Sequence, residues 1–337
     1  MPGQPVGSLR VVGVLLQIGW HSLFLNKYLV PDRVDSFQVL RRFCEPNHGA
    51  PFPPGTGLPR QDPNGAPQIS MFLDQILSQR RHQPVPTPSQ QEQWTEQARQ
   101  APPTRGFARA LKSGAGPRII AEFKRASPSK GLLRPGLDPM AQARLYQQGG
   151  AVALSILTEP TYFQGSQLDL EQARQACSLP VLRKDFLLED WEIAQSRCWG
   201  ADAVLLIAAA LPMARLERML QLAGEFGLDA LVEVHTEEEA RQVATLRPAL
   251  IGINNRDLVS FRVDLEVTRQ LLPLLPEGTI KVAESGFGTN QQLLSFPEVD
   301  AFLIGETLVR TEDASQCLRL LRGVEATEKE MCSGNEV

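Results

Sequence analysis

The 337-residue sequence has only five cysteines and four histidines, and its net charge is only −4. Cys44, Cys177, Cys198, Cys317 and Cys332 are scattered and odd in number, with no CxxC pair, which argues against a disulfide framework and a structural zinc site. A reducing, cytoplasmic setting is therefore expected. Lys and Arg total 34 against 38 Asp and Glu, so the chain is mildly acidic and lacks the diffuse positive field of a nucleic-acid binder. Any anionic ligand must then be held by a local site. Long apolar runs are missing too: Val11 to Val30 is interrupted by Gln17, His21, Asn26 and Lys27, well short of a membrane span. Arg10 and the Val11–Ile18 run resemble the start of a signal peptide, but no small-residue cleavage site follows, so none is expected.

What the sequence does have is a sharp change of composition along its length. Between Glu45 and Gln68, seven prolines alternate with Gly and Asn, a stretch that can carry neither a helix nor a sheet ladder. Residues 1–68 read as an appendage and linker without chemistry-bearing motifs, and residues 324–337 as a polar tail. Ile69 to Arg81 has a helical apolar face in Ile69, Phe72, Leu73, Ile76 and Leu77, and further helices are expected over Ser89–Gln100 and Gly106–Leu111.

From Arg118 the pattern becomes regular. Short β-rich runs occur at Ile119–Phe123, Val152–Leu157, Val181–Lys184, Ala203–Ile207, Ala230–Val234, Leu250–Asn254, Ile280–Glu284 and Ala301–Ile304. Helix starts stand between some of them, at Asp138-Pro139, Thr236 and Thr289, where an oxygen-bearing side chain can accept the first free backbone N–H groups. Eight such pairs within 118–323 predict an α/β fold, a (β/α)8 TIM barrel, with the N-terminal helices as an extension covering its mouth. An open doubly wound sheet is the competing architecture; it would place a glycine-rich loop after the first strand, where Lys124 to Gly131 reads KRASPSKG instead.

In a barrel, alternate strand residues face the interior, and catalytic groups come from strand C-terminal ends. That parity turns Glu122 and Lys124 inward together and puts Lys184, Glu233, Asn254 and Glu284 at the ends of other strands, with Arg256 just beyond. Each could be a paired ion plugging the barrel, but a purely structural interior would hold Val or Ile, because burying an ion costs several kcal/mol. Mixed carboxylates and lysines in one low-dielectric cup are suited to acid–base chemistry. Ser285-Gly286 after the seventh run and Gly305-Glu306 after the eighth stand where barrels often cradle phosphate, with Ser127 on the same rim. His235 shares the parity of Glu233 and is expected just past the strand, capping a helix or facing solvent.

Six ordered blocks, IAEFKRASPSKG (120–131), LRKDF (182–186), LVEVH (231–235), IGINNRDL (251–258), VAESG (282–286) and IGETL (304–308), closely resemble the signatures of the indole-3-glycerol phosphate synthase family. The resemblance extends over about 69–323. It implies ring closure of 1-(2-carboxyphenylamino)-1-deoxyribulose 5-phosphate with loss of CO2 and water, in tryptophan biosynthesis. It further implies that Lys124 and Arg256 hold the anthranilate carboxylate, that Lys184 protonates the ribulose carbonyl, and that Glu233, Glu122 and Lys124 are available for the dehydration. Asn254 and Glu284 would orient sugar hydroxyls. Ser127, Ser285, Gly286, Gly305 and the backbone of Glu306 would surround the phosphate. No cofactor and no metal are needed, and the partners implied are the phosphorylated small molecule and, as candidates, other enzymes of the pathway; a monomer is expected, with no nucleic-acid or membrane partner.

Two other readings compete with this one. Phosphoribosylanthranilate isomerase chemistry uses a Cys and an Asp at strand ends, and no Cys lies at a strand end here. A catalytically silent barrel would gain nothing from buried charges such as Lys184 and Glu233. One departure from the family stands out: Gln79–Arg81 carries arginines where lysine is expected, which bears on the contacts of the covering helix.

Overall fold

The computed structural model describes residues 71–324; the expected appendage at 1–68, and the expected tail beyond its first residue, lie outside them. Eight short, largely apolar runs form the strands β1 Ile119–Phe123, β2 Ala153–Leu157, β3 Val181–Lys184, β4 Ala203–Ile207, β5 Asp229–Val234, β6 Leu250–Asn254, β7 Ile280–Glu284 and β8 Ala301–Ile304. All neighbouring strands are parallel and follow chain order. β8 pairs back onto β1 through Ile119↔Phe302, Ile120↔Leu303 and Ala121↔Ile304, which closes the barrel. The competing open sheet is thereby excluded. Because both faces are covered, the strands are buried along nearly their whole length, and they read as apolar runs broken only where a charge points inward.

Among the described residues, three helices precede β1: α1 Met71–Arg81, α2 Pro88–Gln100 and α3 Phe107–Leu111. They cover different parts of the barrel. Phe72 of α1 meets Tyr162 and Phe261 edge-on, at 4.9 and 5.1 Å between ring centroids, in the loops after β2 and β6. Helix α1 therefore lies over the C-terminal mouth, as expected. In contrast, α3 closes the opposite end, so the extension covers more than the mouth. Phe107 and Leu111 are fully buried there, and Ala108 N donates to Asp229 Oδ2 at the start of β5. Arg105, just before α3, donates to the Cys177 and Leu179 carbonyls ahead of β3. Trp94 of α2 stacks on Trp191, at 5.8 Å, in the helix that follows β3.

The outer layer continues with α4 Pro139–Gln148, α5 Gln167–Ala176, α6 Asp190–Cys198, α7 Met213–Glu225, α8 Glu237–Leu246, α9 Glu266–Leu271, α10 Asn290–Leu294, α11 Glu306–Arg310 and α12 Ala314–Leu321. Asp138, Thr236 and Thr289 cap α4, α8 and α10 by accepting from Ala141, Glu239 and Gln292 N–H, the three starts expected from composition. Their apolar stripes pack on the barrel, as Leu216, Met219 and Leu222 of α7 do. Between β1 and α4, Ala126–Ser127 pairs antiparallel with Gly131–Leu132, a small hairpin on the rim that the strand pattern did not predict. Among the described residues, no helix is long and apolar enough to cross a membrane.

Candidate active site

The inward parity of the strands brings separated charges into one cup. Lys184 at the end of β3 places its ammonium between Glu284 of β7, with which it forms a short ion pair, and Glu233 of β5 at 3.3 Å. Lys124, one residue past β1, forms an ion pair with Glu122 two residues earlier. Glu122, Glu233 and Glu284 are each almost fully buried. Asn254 of β6 accepts from Arg256 N at 3.0 Å, and its amide favours the ionised form of Glu233.

Room for these carboxylates is made by glycines that also point inward. A Cβ on Gly252 of β6 would collide with Glu284 Oε1, and a Cβ on Gly305 after β8 would collide with Glu122 Oε1. Gly252 was not among the expected site residues. Its signal was present, however: a glycine inside a strand often marks a close approach.

One buried lysine between two carboxylates cannot satisfy both equally. Burial alone would push the Lys184 ammonium down, but Glu284, Glu233 and Glu122 outweigh it and hold the group above the usual lysine value. Burial would raise Glu233 too, yet Lys184, His235 and Asn254 hold it well below the ordinary carboxylate range. Glu284 goes the other way: burial and the neighbouring Glu233 charge raise it, against the pull of Lys184. Glu284 Oε1 has no hydrogen-bond partner among the described residues. Glu122 ends below its ordinary value, because Lys124 and Lys184 together exceed its burial penalty. Around the Lys184 ammonium the cup therefore holds two ionised carboxylates, Glu122 and Glu233, and one carboxyl, Glu284, that readily takes a proton.

His235 does not face solvent. Its ring is buried between Glu233 and Glu239, with Nε2 at 3.3 Å and Nδ1 at 3.4 Å from their oxygens. Capping does occur at this position, but through the His235 backbone N–H, which donates to Glu239 at 2.8 Å. The cause is the close start of α8: Glu239, in its first turn, folds back onto the residue ahead of the Thr236 cap.

The rim residues come from loops after adjacent strands. Ser127 lies in the hairpin after β1, Ser285 and Gly286 follow β7, and Gly305 and Glu306 follow β8, so the three loops are neighbours around the barrel. Ser285 and Gly286 both have left-handed φ, 65° and 91°. Gly305 caps α11, while the Glu306 side chain turns outward to Arg310 at 3.0 Å. Arg256 reaches from the β6 loop towards the β1 loop, with Nη1 3.1 Å from the Phe261 carbonyl and 3.5 Å from Ser129 Oγ.

The arginine of the covering helix also finds its place. Arg80 pairs with Glu192 of α6, donates to the Phe186 carbonyl at 3.2 Å and stands 3.9 Å from Asp185. Asp185 in turn accepts from Arg183 at 3.0 Å and Thr158 at 2.7 Å, and Arg183 stacks on Trp199. A buried polar network thus ties α1 to the strand that carries Lys184.

The family model described as indole-3-glycerol phosphate synthase matches residues 73–321. The chain belongs to the indole-3-glycerol phosphate synthase family. Its curated relatives include the indole-3-glycerol phosphate synthase of Rhizorhabdus wittichii, 47% identical over 235 residues, which are 68% of this chain and 89% of that one. The synthase of Neisseria meningitidis serogroup B is 48% identical over 222 residues, 64% of this chain and 85% of its own. Among solved structures, 3-hexulose-6-phosphate synthase from Salmonella typhimurium matches with a TM-score of 0.51 at 10% identity, covering 61% of this chain and 97% of that one; this likeness shows the barrel fold alone.

Proposed function

We propose that the chain is a carbon–carbon lyase that converts 1-(2-carboxyphenylamino)-1-deoxyribulose 5-phosphate to indole-3-glycerol phosphate, releasing CO2 and water. The observation that carries this reading is the Lys184 ammonium shared by Glu233 and Glu284 in a cup that also holds the Glu122–Lys124 pair. Such a cup can supply protons, accept them and stabilise charge without bulk water.

The substrate has two anionic ends. Lys124 follows β1 and Arg256 reaches towards the β1 loop, and in this reading these two cations hold the ring carboxylate. Attack of the carboxylate-bearing ring carbon on the ribulose carbonyl puts negative charge on oxygen, which Lys184 stabilises and protonates. Release of CO2 breaks the bond to the carboxylate carbon and returns its electron pair to the ring. The new hydroxyl then leaves as water, which needs one proton donor and one acceptor. Glu233, held ionised, fits the acceptor, with Glu122 and Lys124 beside it. The free Oε1 of Glu284 and the Asn254 amide would bind sugar hydroxyls. Ser127, Ser285, Gly286, Gly305 and the Glu306 backbone would receive the phosphate, a small anion met by dipoles and hydroxyls on one rim.

The test follows the indole chromophore by fluorescence after the carboxyphenylamino substrate is added. Appearance of product at catalytic rates between pH of about 6 and 9 is expected, and its absence throughout that range would sink the reading.

A further inference from the structure

Asn255 breaks the rule that the rest of its strand obeys. Ile251 and Ile253 of β6 face the helices and are fully buried, and the next residue of that parity is Asn255, only 1% exposed. A buried amide in an apolar layer is costly unless every polar atom is used. All of its polar atoms are used here. Oδ1 accepts from Thr268 N at 3.1 Å and Thr268 Oγ1 at 2.7 Å, in α9; Nδ2 donates to the Ser285 carbonyl at 3.1 Å; and its backbone N–H donates to the Glu284 carbonyl at 3.0 Å. Thr268 is itself fully buried.

The bond to Ser285 has a directional consequence. No peptide bond among the described residues is cis, so the Ser285 carbonyl and the Gly286 N–H lie in one peptide plane and point in opposite directions. With the carbonyl drawn outward to Asn255, on the helix side of β6, the Gly286 N–H must point the other way, towards the mouth. No hydrogen bond within the described residues takes that N–H up. The turn is also strained in a way that needs holding. Ser285 has φ of 65°, unusual for a residue with a Cβ, and a Cβ on Gly286 would stand 2.5 Å from Val263 Cγ1.

We infer that Asn255 is the positioning residue of an anion cradle at Ser285–Gly286: by holding the Ser285 carbonyl on the helix side, it aims the Gly286 N–H at the phosphate of the substrate. This rests on the reading that the loops after β7 and β8 receive a phosphate. The two ends of the amide do separate jobs. The Oδ1 end anchors α9, and the Nδ2 end sets the turn.

Two substitutions separate the jobs. Asn255→Asp keeps an acceptor for both Thr268 bonds but loses the donor to Ser285, whereas Thr268→Val removes one anchoring bond and leaves the donor in place. For each variant, kcat and KM for the carboxyphenylamino substrate and competitive inhibition by inorganic phosphate are measured, with thermal unfolding alongside. Asn255→Asp is expected to raise KM and weaken phosphate inhibition together by about fivefold or more, the worth of one directed hydrogen bond, with kcat within about twofold. Thr268→Val is expected to lower the melting temperature and leave both constants unchanged. If Asn255→Asp does not fold, Asn255→Ala, which removes both ends without adding a charge, is read against Thr268→Val, and the loss of phosphate inhibition beyond that of Thr268→Val belongs to the donor. Unchanged phosphate inhibition in the Asn255 variant, or equal weakening by Thr268→Val, overturns the inference. A wild-type protein that turns over substrate but is not inhibited by phosphate refutes the cradle, and one without turnover refutes the proposed reaction instead.

Discussion

Gly252→Ala adds one methyl group to the interior of the barrel, and the structure says what that methyl meets. The new Cβ would sit far inside the 3.0 Å that real Cβ atoms respect from Glu284 Oε1, with Leu231 Cδ1 at 3.4 Å. The group that must give is the carboxylate, since backbone is not among the nearest atoms. Glu284 is 1% exposed and cannot swing into solvent, so it must retreat by about 1 Å inside the cup to reach ordinary contact. That retreat pulls Oε2 off Lys184. Misplacing a positioned group by about 1 Å costs roughly 100-fold in rate, while the overpacking itself costs about 1–3 kcal/mol of stability. The expected variant is therefore folded by circular dichroism, melts a few degrees lower, and forms the indole product about 100-fold more slowly. Gly224→Ala in α7 is the control, because nothing lies within 4 Å of its added atom. A Gly252→Ala enzyme with kcat/KM within threefold of wild type would refute the reasoning, showing that Glu284 need not stand where the glycine lets it stand.

Three further outcomes follow from the same geometry. Lys184→Ala should lower turnover by roughly 100- to 10,000-fold while the barrel remains folded, because the two carboxylates it separates can respond by binding a proton; near-normal turnover would remove Lys184 from its role. Burial alone would lower His235, but the Glu233 and Glu239 carboxylates beside its two ring nitrogens outweigh this and carry it up to about 10 from 6.5. With the folded value raised, its contribution to stability is full below about pH 6.5 and fades as pH climbs through 10, so the melting-temperature gap between wild type and His235→Asn should shrink across that window; a gap independent of pH would refute the charged ring. Arg80→Met leaves the buried Glu192 without its α1 cation and should cost about 3 kcal/mol in urea unfolding. An unchanged midpoint would mean that Arg183 and the Leu188 and Glu189 N–H groups satisfy Glu192 by themselves.

The strands were legible because each is a short apolar run between turn signals, and six of the expected runs, among them Ile119–Phe123 and Leu250–Asn254, have the observed bounds. Parity then placed Glu122, Lys184, Glu233 and Glu284 inside, since an alternation of two needs no knowledge of neighbours. What alternation cannot supply is depth and partner. It left open that Lys184 lies against Glu284, a hundred residues away in the chain. His235 shared the right parity, yet its burial depends on Glu239 folding back from the next helix. Asn255 was passed over because its parity faces the helices, where only packing was expected. Gly252 was passed over for a related reason: its contribution is the volume that it leaves to another side chain.

The network at Arg80 has a consequence for the order in which the molecule is assembled. Helix α1 is made early, but the Phe186 carbonyl lies 106 residues further on, Glu192 lies 112, and Phe261 belongs to the loop after β6. Contacts of such long sequence separation form late, after the loops between have been closed. The mouth therefore stays uncovered while the strands gather, and α1 docks once the β3 and β6 loops are both in place around the ring. The helix made first among the described elements is then among the last to find its place, and its docking reports that the ring beneath it is complete.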